Sequence, residues 1–313
     1  MVLARMLPLP FELRLEPRDR GRAVEKRLAR ALPDAHWSHL MKLLRRRQVR
    51  LEDGRVLRKG DPLPGEGRLL VVPPEQAGPA PPPAPNRRIA FRVLHEDPDL
   101  AVVVKPAPLP MHPGPGHGTD TFLNALVGRW PELAARGAAR GWGLVHRLDR
   151  ETSGLLVVAR TARARDALVQ AFAARAVEKR YRALVQGRPQ PAAGEVRAPV
   201  GGKEAHTAWE TEEVAGEVAL LRLWPRTGRT HQLRVHLAGL GCPVVGDDRY
   251  GPPDPGEQVR RLHLPRLALH AEALAFVHPV SGARLAFEDP WPRELRRAWS
   301  RARKLARPAG GAS

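Results

Sequence analysis

The side chains best placed to do chemistry in this chain fall in three short stretches. In His146-Arg147-Leu148-Asp149-Arg150 a lone carboxylate stands among a histidine and two arginines, just ahead of a Thr152-Ser153-Gly154 turn and an apolar run. Such a carboxylate can attack an electrophilic carbon or stabilise positive charge, provided a cation offsets the cost of burying its own charge. In Glu178-Lys179-Arg180-Tyr181 the tyrosine alternates with Ala183 and Val185, so on a strand all three share one sheet face. In Thr227-Gly228-Arg229-Thr230 an arginine precedes an expected helix start, where a guanidinium can grip a carboxylate or phosphate through two parallel hydrogen bonds. Each stretch also has a plainer reading. Asp149 can pair with Arg150 at the surface, Tyr181 can be a core aromatic, and Arg229 can be an exposed loop cation.

Commoner chemistries leave no trace. There is no GxxxxGK[ST] phosphate loop, no glycine fingerprint for a dinucleotide and no CxxC pair. His231 and His236 stand five apart, off the spacing of a helical zinc site. The scattered histidines are expected to have structural or surface roles rather than to ligate a metal. Cys242 is the only cysteine, so an internal disulfide is impossible and a reducing compartment is expected. The first residues lack a secretory apolar core, and no stretch approaches a membrane span. A cytoplasmic protein without membrane attachment follows, with a monomer as the default.

The elements that must position these residues divide at a Pro-rich run. Residues 10–73 form one module, 74–88 a semi-rigid spacer, 89–305 a larger second module and 306–313 a disordered tail. In the first module, Val24, Leu28 and Leu32 mark one helix. Leu40, Leu43 and Leu44 mark a second, with Ser38 as its N-cap and Lys42, Arg45, Arg46 and Arg47 on its open face. Asp53-Gly54 signals a hairpin between Val49/Leu51 and Val56, and a further strand closes the module. In the second module strands dominate. Two helices interrupt them, one capped by Thr161 and one by Thr230, the latter ended by Gly241. Runs of strands with scattered helices indicate an α+β domain with a mostly antiparallel sheet. The chain carries 52 Lys+Arg against 33 Asp+Glu, or +19, an excess that favours a polyanionic partner.

Two resemblances give these features a meaning. "RAVEKRLARALPDAHWSHLMKLLRRRQVRLEDGRVLRKGDPL" resembles the S-four RNA-binding module, departing from it at His36-Trp37-Ser38 and Leu51-Glu52-Asp53-Gly54. From Ile89 to about Trp291 the chain resembles the RluA-type RNA pseudouridine synthases. "VVVKPAPLPMHP", "HRLDRETSGLLVVART", "EKRYRALVQG", "RTGRTHQLRVHLAGLGCPVVGDDRYG" and "LALHAEALAFVHPVSG" carry the match, and Val104 and Pro108 replace the family's Asn and Gly in the first of them. The resemblance implies an α+β catalytic domain that isomerises uridine in RNA to pseudouridine without a cofactor. It implies Asp149 as the catalytic aspartate, Arg229 as its basic partner and Tyr181 against the uracil. It also implies Leu269 in the pocket lining and Arg147 in the space left by a flipped base. Arg45, Arg46 and Arg47 would hold RNA phosphates. Large-subunit ribosomal RNA is the favoured substrate and transfer RNA the other. A non-catalytic RNA-binding or ribosome-assembly factor on the same fold is the alternative function.

Overall fold

The computed structural model describes residues 10–73, 82–114 and 117–306, with the backbone alone at 138–140. The expected tail beyond residue 306 and the spacer residues 74–81 lie outside the described residues. The chain divides into two compact units, Met1–Pro81 and Pro82–Ser313.

The first unit contains β1 (Phe11–Arg14), α1 (Val24–Ala31), α2 (Trp37–Arg45), β2 (Val49–Leu51) and β3 (Arg68–Val71). The three strands form an antiparallel sheet in the order β1-β3-β2. Val24, Leu28, Leu40, Leu43 and Leu44 from the helices meet Val49, Leu51, Leu69 and Val71 from the sheet in one apolar core. Several details differ from expectation. The strand β1 was not foreseen, although its half-buried Phe11 and Leu13 alternate with exposed Glu12 and Arg14. Helix α2 is capped by His36 rather than Ser38, because the imidazole Nδ1 takes the acceptor role and receives the Ser38 N–H at 3.3 Å. The Asp53-Gly54 turn forms, but its second arm is a single bridge between Arg50 and Val56, and β2 pairs with β3 instead. The helix also ends at Arg45. Arg46 is its C-cap, and Arg47 turns into the left-handed region at φ 60°, off the helix face.

The second unit contains β4 (Arg92–Glu96), β5 (Leu100–Lys105), α3 (Phe122–Arg129), β6 (Ser153–Ala159), α4 (Ala162–Ala173), β7 (Glu178–Gln186) and β8 (Ala193–Val196). It continues with β9 (Thr207–Ala215), β10 (Val218–Pro225), α5 (Gln232–Gly239), α6 (Glu257–Arg260), β11 (Leu269–Val277), β12 (Arg284–Glu288) and α7 (Arg293–Leu305). Nine strands make one sheet in the order β4-β5-β6-β11-β7-β10-β9-β8, with β12 added on β11. Every pairing is antiparallel except β6 with β11. The expected α+β class with a mostly antiparallel sheet is therefore what the chain forms.

The apolar runs of β5 and β6 are explained by burial on both faces. Ala101, Val103, Leu156 and Val158 pack with α3, while Leu100, Val102, Leu155 and Val157 pack toward α4. Thr161 caps α4 as expected, its hydroxyl receiving the Ala164 N–H at 3.2 Å. Helices α3, α6 and α7 were not anticipated. Thr121 and Asn124 cap α3 reciprocally, a Thr-x-x-Asn form of the capping box. Helix α7 is dense in arginine, yet it buries Leu295, Ala298, Trp299 and Ala302 at helical spacing. Residues 82–88, expected to belong to the spacer, dock on α3 through Asn86 N to Asn124 O at 2.9 Å and Arg87 Nε to Gly128 O at 3.1 Å. Among the described residues no helix is long and apolar enough to cross a membrane.

Candidate active site

Asp149 stands on the loop that leads into β6, and that loop is fastened at several points. His146 Nε2 accepts the Val157 N–H at 3.0 Å while the ring stacks on Phe172 at 4.5 Å between centroids. Lys105, fully buried at the end of β5, donates from Nζ to the carbonyls of Pro106, Leu109 and Arg150 at 2.9, 2.9 and 3.1 Å. Buried Arg266 reaches the Glu151 carbonyl at 3.4 Å and Ser153 Oγ at 3.0 Å, and is neutralised by Glu294 at 2.8 Å. Lys105 and Arg266 thus hold the backbone just after Asp149. Gly154 then crosses β11 at φ 122°, where a Cβ would sit 2.3 Å from the Ala271 carbonyl oxygen. Only glycine lets the one parallel pairing close at this point.

Around Asp149 lies a cavity of about 410 Å³. Strand β7 contributes Lys179 and Tyr181, β11 contributes Leu269, α4 contributes Phe172, and the segment ahead of α5 contributes residues 225–231. Among the described residues Asp149 is the one acidic side chain in the lining, beside Arg147, Arg175, Lys179, Arg226 and Arg229. The cavity therefore offers an anionic substrate a positive mouth and a single negative floor.

The carboxylate is 16% exposed and faces two groups from the α5 side, His231 Nε2 at 3.8 Å from Oδ1 and Arg234 Nη1 at 3.9 Å from Oδ2. Burial pushes the His231 pKa down, and Arg234 and Arg249 push the same way against the opposing charge of Asp149. The imidazole is thereby held toward its uncharged form, and Arg234 is the permanent counter-charge. Arg234 is itself held by Asp247, with Nε to Oδ2 at 2.7 Å and Nη2 to Oδ1 at 2.6 Å. The Asp247 hydrogen bond raises the arginine pKa further, so its charge is fixed across the accessible range. Burial and the nearby Asp149 charge push the Tyr181 hydroxyl well above the phenol range, so it stays protonated. Burial lowers Lys179 to about 8 and Lys105 to about 7, the latter reinforced by Arg266.

The structure brings Asp149, Tyr181, Arg229, Arg147 and Leu269 to this one cavity. Arg147 is exposed and has no hydrogen-bond or ion-pair partner among the described residues. Arg45, Arg46 and Arg47 belong to the other unit. Arg229 requires a correction. It lines the cavity, but its Nε donates to the Glu204 carbonyl at 2.9 Å and the residue is exposed. Arg234 takes the place beside Asp149. The local cause is that Thr230 does not cap α5. His231 adopts φ 57° and becomes the N-cap, Gln232 Oε1 receives the Arg229 N–H at 3.0 Å, and the helix starts at Gln232. A signal for Arg234 lay in "HQLRVHL", where Gln232, Arg234 and His236 are buried alongside Leu233 and Leu237. Buried polar groups need partners, and here those partners build the site. Lys105 left a comparable trace, a cation closing an apolar strand. Among the described residues no group of three or more His, Cys, Asp or Glu is arranged to hold a metal.

One carboxylate at the floor of a cation-rimmed cavity, on a mostly antiparallel sheet, defines an enzyme for a polyanionic substrate. The comparisons give its family. Residues 99–239 match the family model of RNA pseudouridylate synthases. The chain is 41% identical to an RNA pseudouridine synthase of Chloroflexus aurantiacus over 89% of both chains. It is 37% identical to the ribosomal large subunit pseudouridine synthase D of Xanthomonas campestris, over 91% of this chain and 90% of that one. Among solved structures, human RNA pseudouridylate synthase domain containing 4 superposes with a TM-score of 0.54 at 28% identity, covering 67% of this chain and 92% of that one. The chain belongs to the RluA-type RNA pseudouridine synthases and is an isomerase acting on RNA.

Proposed function

We propose that this enzyme converts uridine to pseudouridine in large-subunit ribosomal RNA, with Asp149 as the catalytic carboxylate. The observation that carries the catalytic part is the convergence of Asp149, Tyr181 and Leu269 from three separate segments on one cavity, with Arg234 3.9 Å from the Asp149 carboxylate. The ribosomal part rests on relatives named ribosomal large subunit pseudouridine synthase D, matched along 90% and 94% of their lengths.

The chemistry follows from the arrangement. The target uridine leaves its stack, at a cost of a few kcal/mol, and its place is taken by the unpartnered Arg147. The bond between uracil N1 and ribose C1′ breaks, with Asp149 meeting the positive charge that develops at C1′. Arg234 stands beside the carboxylate as its counter-charge until then. Uracil turns within the cavity between Tyr181 and Leu269, its C5 bonds to C1′, the C5 proton leaves and N1 takes up a proton. No atom is gained or lost and no electron acceptor is needed. Arg229 and Arg226, both exposed, meet RNA phosphates at the mouth. The first unit acts as an S-four-like RNA-binding module, with exposed Arg45 and Arg46 on phosphates.

Asp149→Asn tests this reading. Pseudouridine formation is expected to fall at least about a thousandfold while RNA affinity changes little. Undiminished product would end the catalytic assignment. Mapping pseudouridine in ribosomal and transfer RNA with and without the gene tests the substrate. Sites lost only from transfer RNA would overturn the ribosomal part.

A further inference from the structure

Two groups flank Asp149, and a single short turn holds both. Asp247, whose side chain is fully buried, grips Arg234 through two hydrogen bonds. The same carboxylate receives the backbone N–H of Arg249 at 3.0 Å and of Tyr250 at 2.9 Å. Tyr250 is thereby fixed with its ring against the Arg234 and Arg249 guanidinium groups, at 5.1 and 5.3 Å. Its hydroxyl lies 3.0 Å from His231 Nδ1, while His231 Nε2 faces Asp149 Oδ1 at 3.8 Å.

A neutral imidazole carries one proton and has two places for it. With the proton on Nδ1, the ring would donate to Tyr250 and point an Nε2 lone pair at a carboxylate. With the proton on Nε2, the Tyr250 hydroxyl donates to Nδ1 and an N–H points at Asp149. The charges around the ring are Asp149, Asp247, Arg234 and Arg249, and Asp149, its Oδ1 3.8 Å from Nε2, acts on the ring most strongly among them. Electrostatics favours the second arrangement.

We infer that Tyr250 is a positioning residue for the isomerisation: its hydroxyl donates to His231 Nδ1 and fixes the Nε2–H tautomer, so that Asp149 is flanked by an N–H at one oxygen and by Arg234 at the other. The carboxylate is then oriented from both sides before ribose C1′ arrives. The inference rests on Asp149 being the reacting carboxylate, but its structural half can be read without any turnover.

The test uses the full chain labelled with 15N-histidine, the His231 signals being assigned by their loss in His231→Gln. In the wild type at neutral pH, Nε2 is expected to carry the proton and Nδ1 to accept a hydrogen bond. In Tyr250→Phe, which keeps the ring against the arginines, the Nδ1 shift is expected to lose its hydrogen-bonded character and the proton to redistribute toward Nδ1. The turnover number for pseudouridine formation should fall about tenfold, the kinetic equivalent of one hydrogen bond, with KM for RNA unchanged. A wild-type proton on Nδ1, or a Tyr250→Phe enzyme with full turnover, overturns the inference. Asp149→Asn separates the two readings. Full activity there removes the catalytic role of Asp149 whatever the tautomer, whereas an inactive Asp149→Asn beside an unimpaired Tyr250→Phe defeats only the role of Tyr250.

Discussion

At the scale of single residues, the site turns on which arginine serves Asp149. Arg234 is 7% exposed and shared between Asp149 and the fully buried Asp247, whereas Arg229 sits at the open mouth. Their substitutions should therefore differ in kind. Arg234→Gln leaves a buried carboxylate without its cation and is expected to cost about 3–5 kcal/mol of stability along with most activity. Arg229→Gln is expected to leave stability nearly unchanged and to act mainly by raising KM for RNA. Urea unfolding and steady-state kinetics on the two variants check this, and equal stability losses would contradict the assignment. His146 supplies a second test at this scale. Burial, aided by Lys179, depresses its pKa to about 3 from an ordinary 6.5. The unfolded chain then binds the proton more readily than the folded one, so this contribution to stability is complete above pH 6.5 and is lost as pH falls toward 3. His146→Gln keeps an acceptor for the Val157 N–H but does not titrate, so its unfolding midpoint should fall less steeply over that window.

At the scale of elements, the decisive contact is the parallel pairing of β6 and β11, which covers only Ser153–His270 and Gly154–Ala271. It joins the strand that follows Asp149 to the strand that begins at Leu269. Ser153 Oγ lies 2.9 Å from buried His270 Nδ1, and His270 Nε2 lies 3.3 Å from Asp289. Arg266 also donates to that serine oxygen, so this chain of side chains works as a brace with its hydroxyl occupied. Gly154→Ala places a methyl group on the Ala271 backbone and is expected to cost more than about 2 kcal/mol. Activity should fall further than stability alone explains, because the Asp149 loop must move. Thermal unfolding paired with activity below the transition measures both. A variant as stable and active as the parent would mean that the strands can separate here without disturbing the site.

At the scale of the whole molecule, a net charge of +19 makes RNA binding a problem of counterions. Affinity should fall linearly with salt on logarithmic axes, and each phosphate contact removed should flatten the slope by about one. Replacing Arg45 and Arg46 together by Gln should flatten it by about two while leaving turnover at saturating RNA unchanged. A slope identical to the parent's would show that those arginines meet no phosphate. Much of this molecule was legible in its sequence. Period-two alternation, Thr161 as a cap, the α+β class and the stretches bearing Asp149 and Tyr181 are properties of neighbouring residues, and local sterics and burial decide them. What the sequence left open depended on distant segments. The left-handed turn at His231 starts α5 late and Asp247 draws in Arg234, so the counter-charge comes from a residue that reads locally as part of an ordinary helix. Lys105 and Arg266 become clamps only because β5, β6 and β11 bring backbone carbonyls from far along the chain to their amino and guanidinium groups. A buried cation is tolerable only where such partners converge, and that convergence exists in the tertiary structure alone.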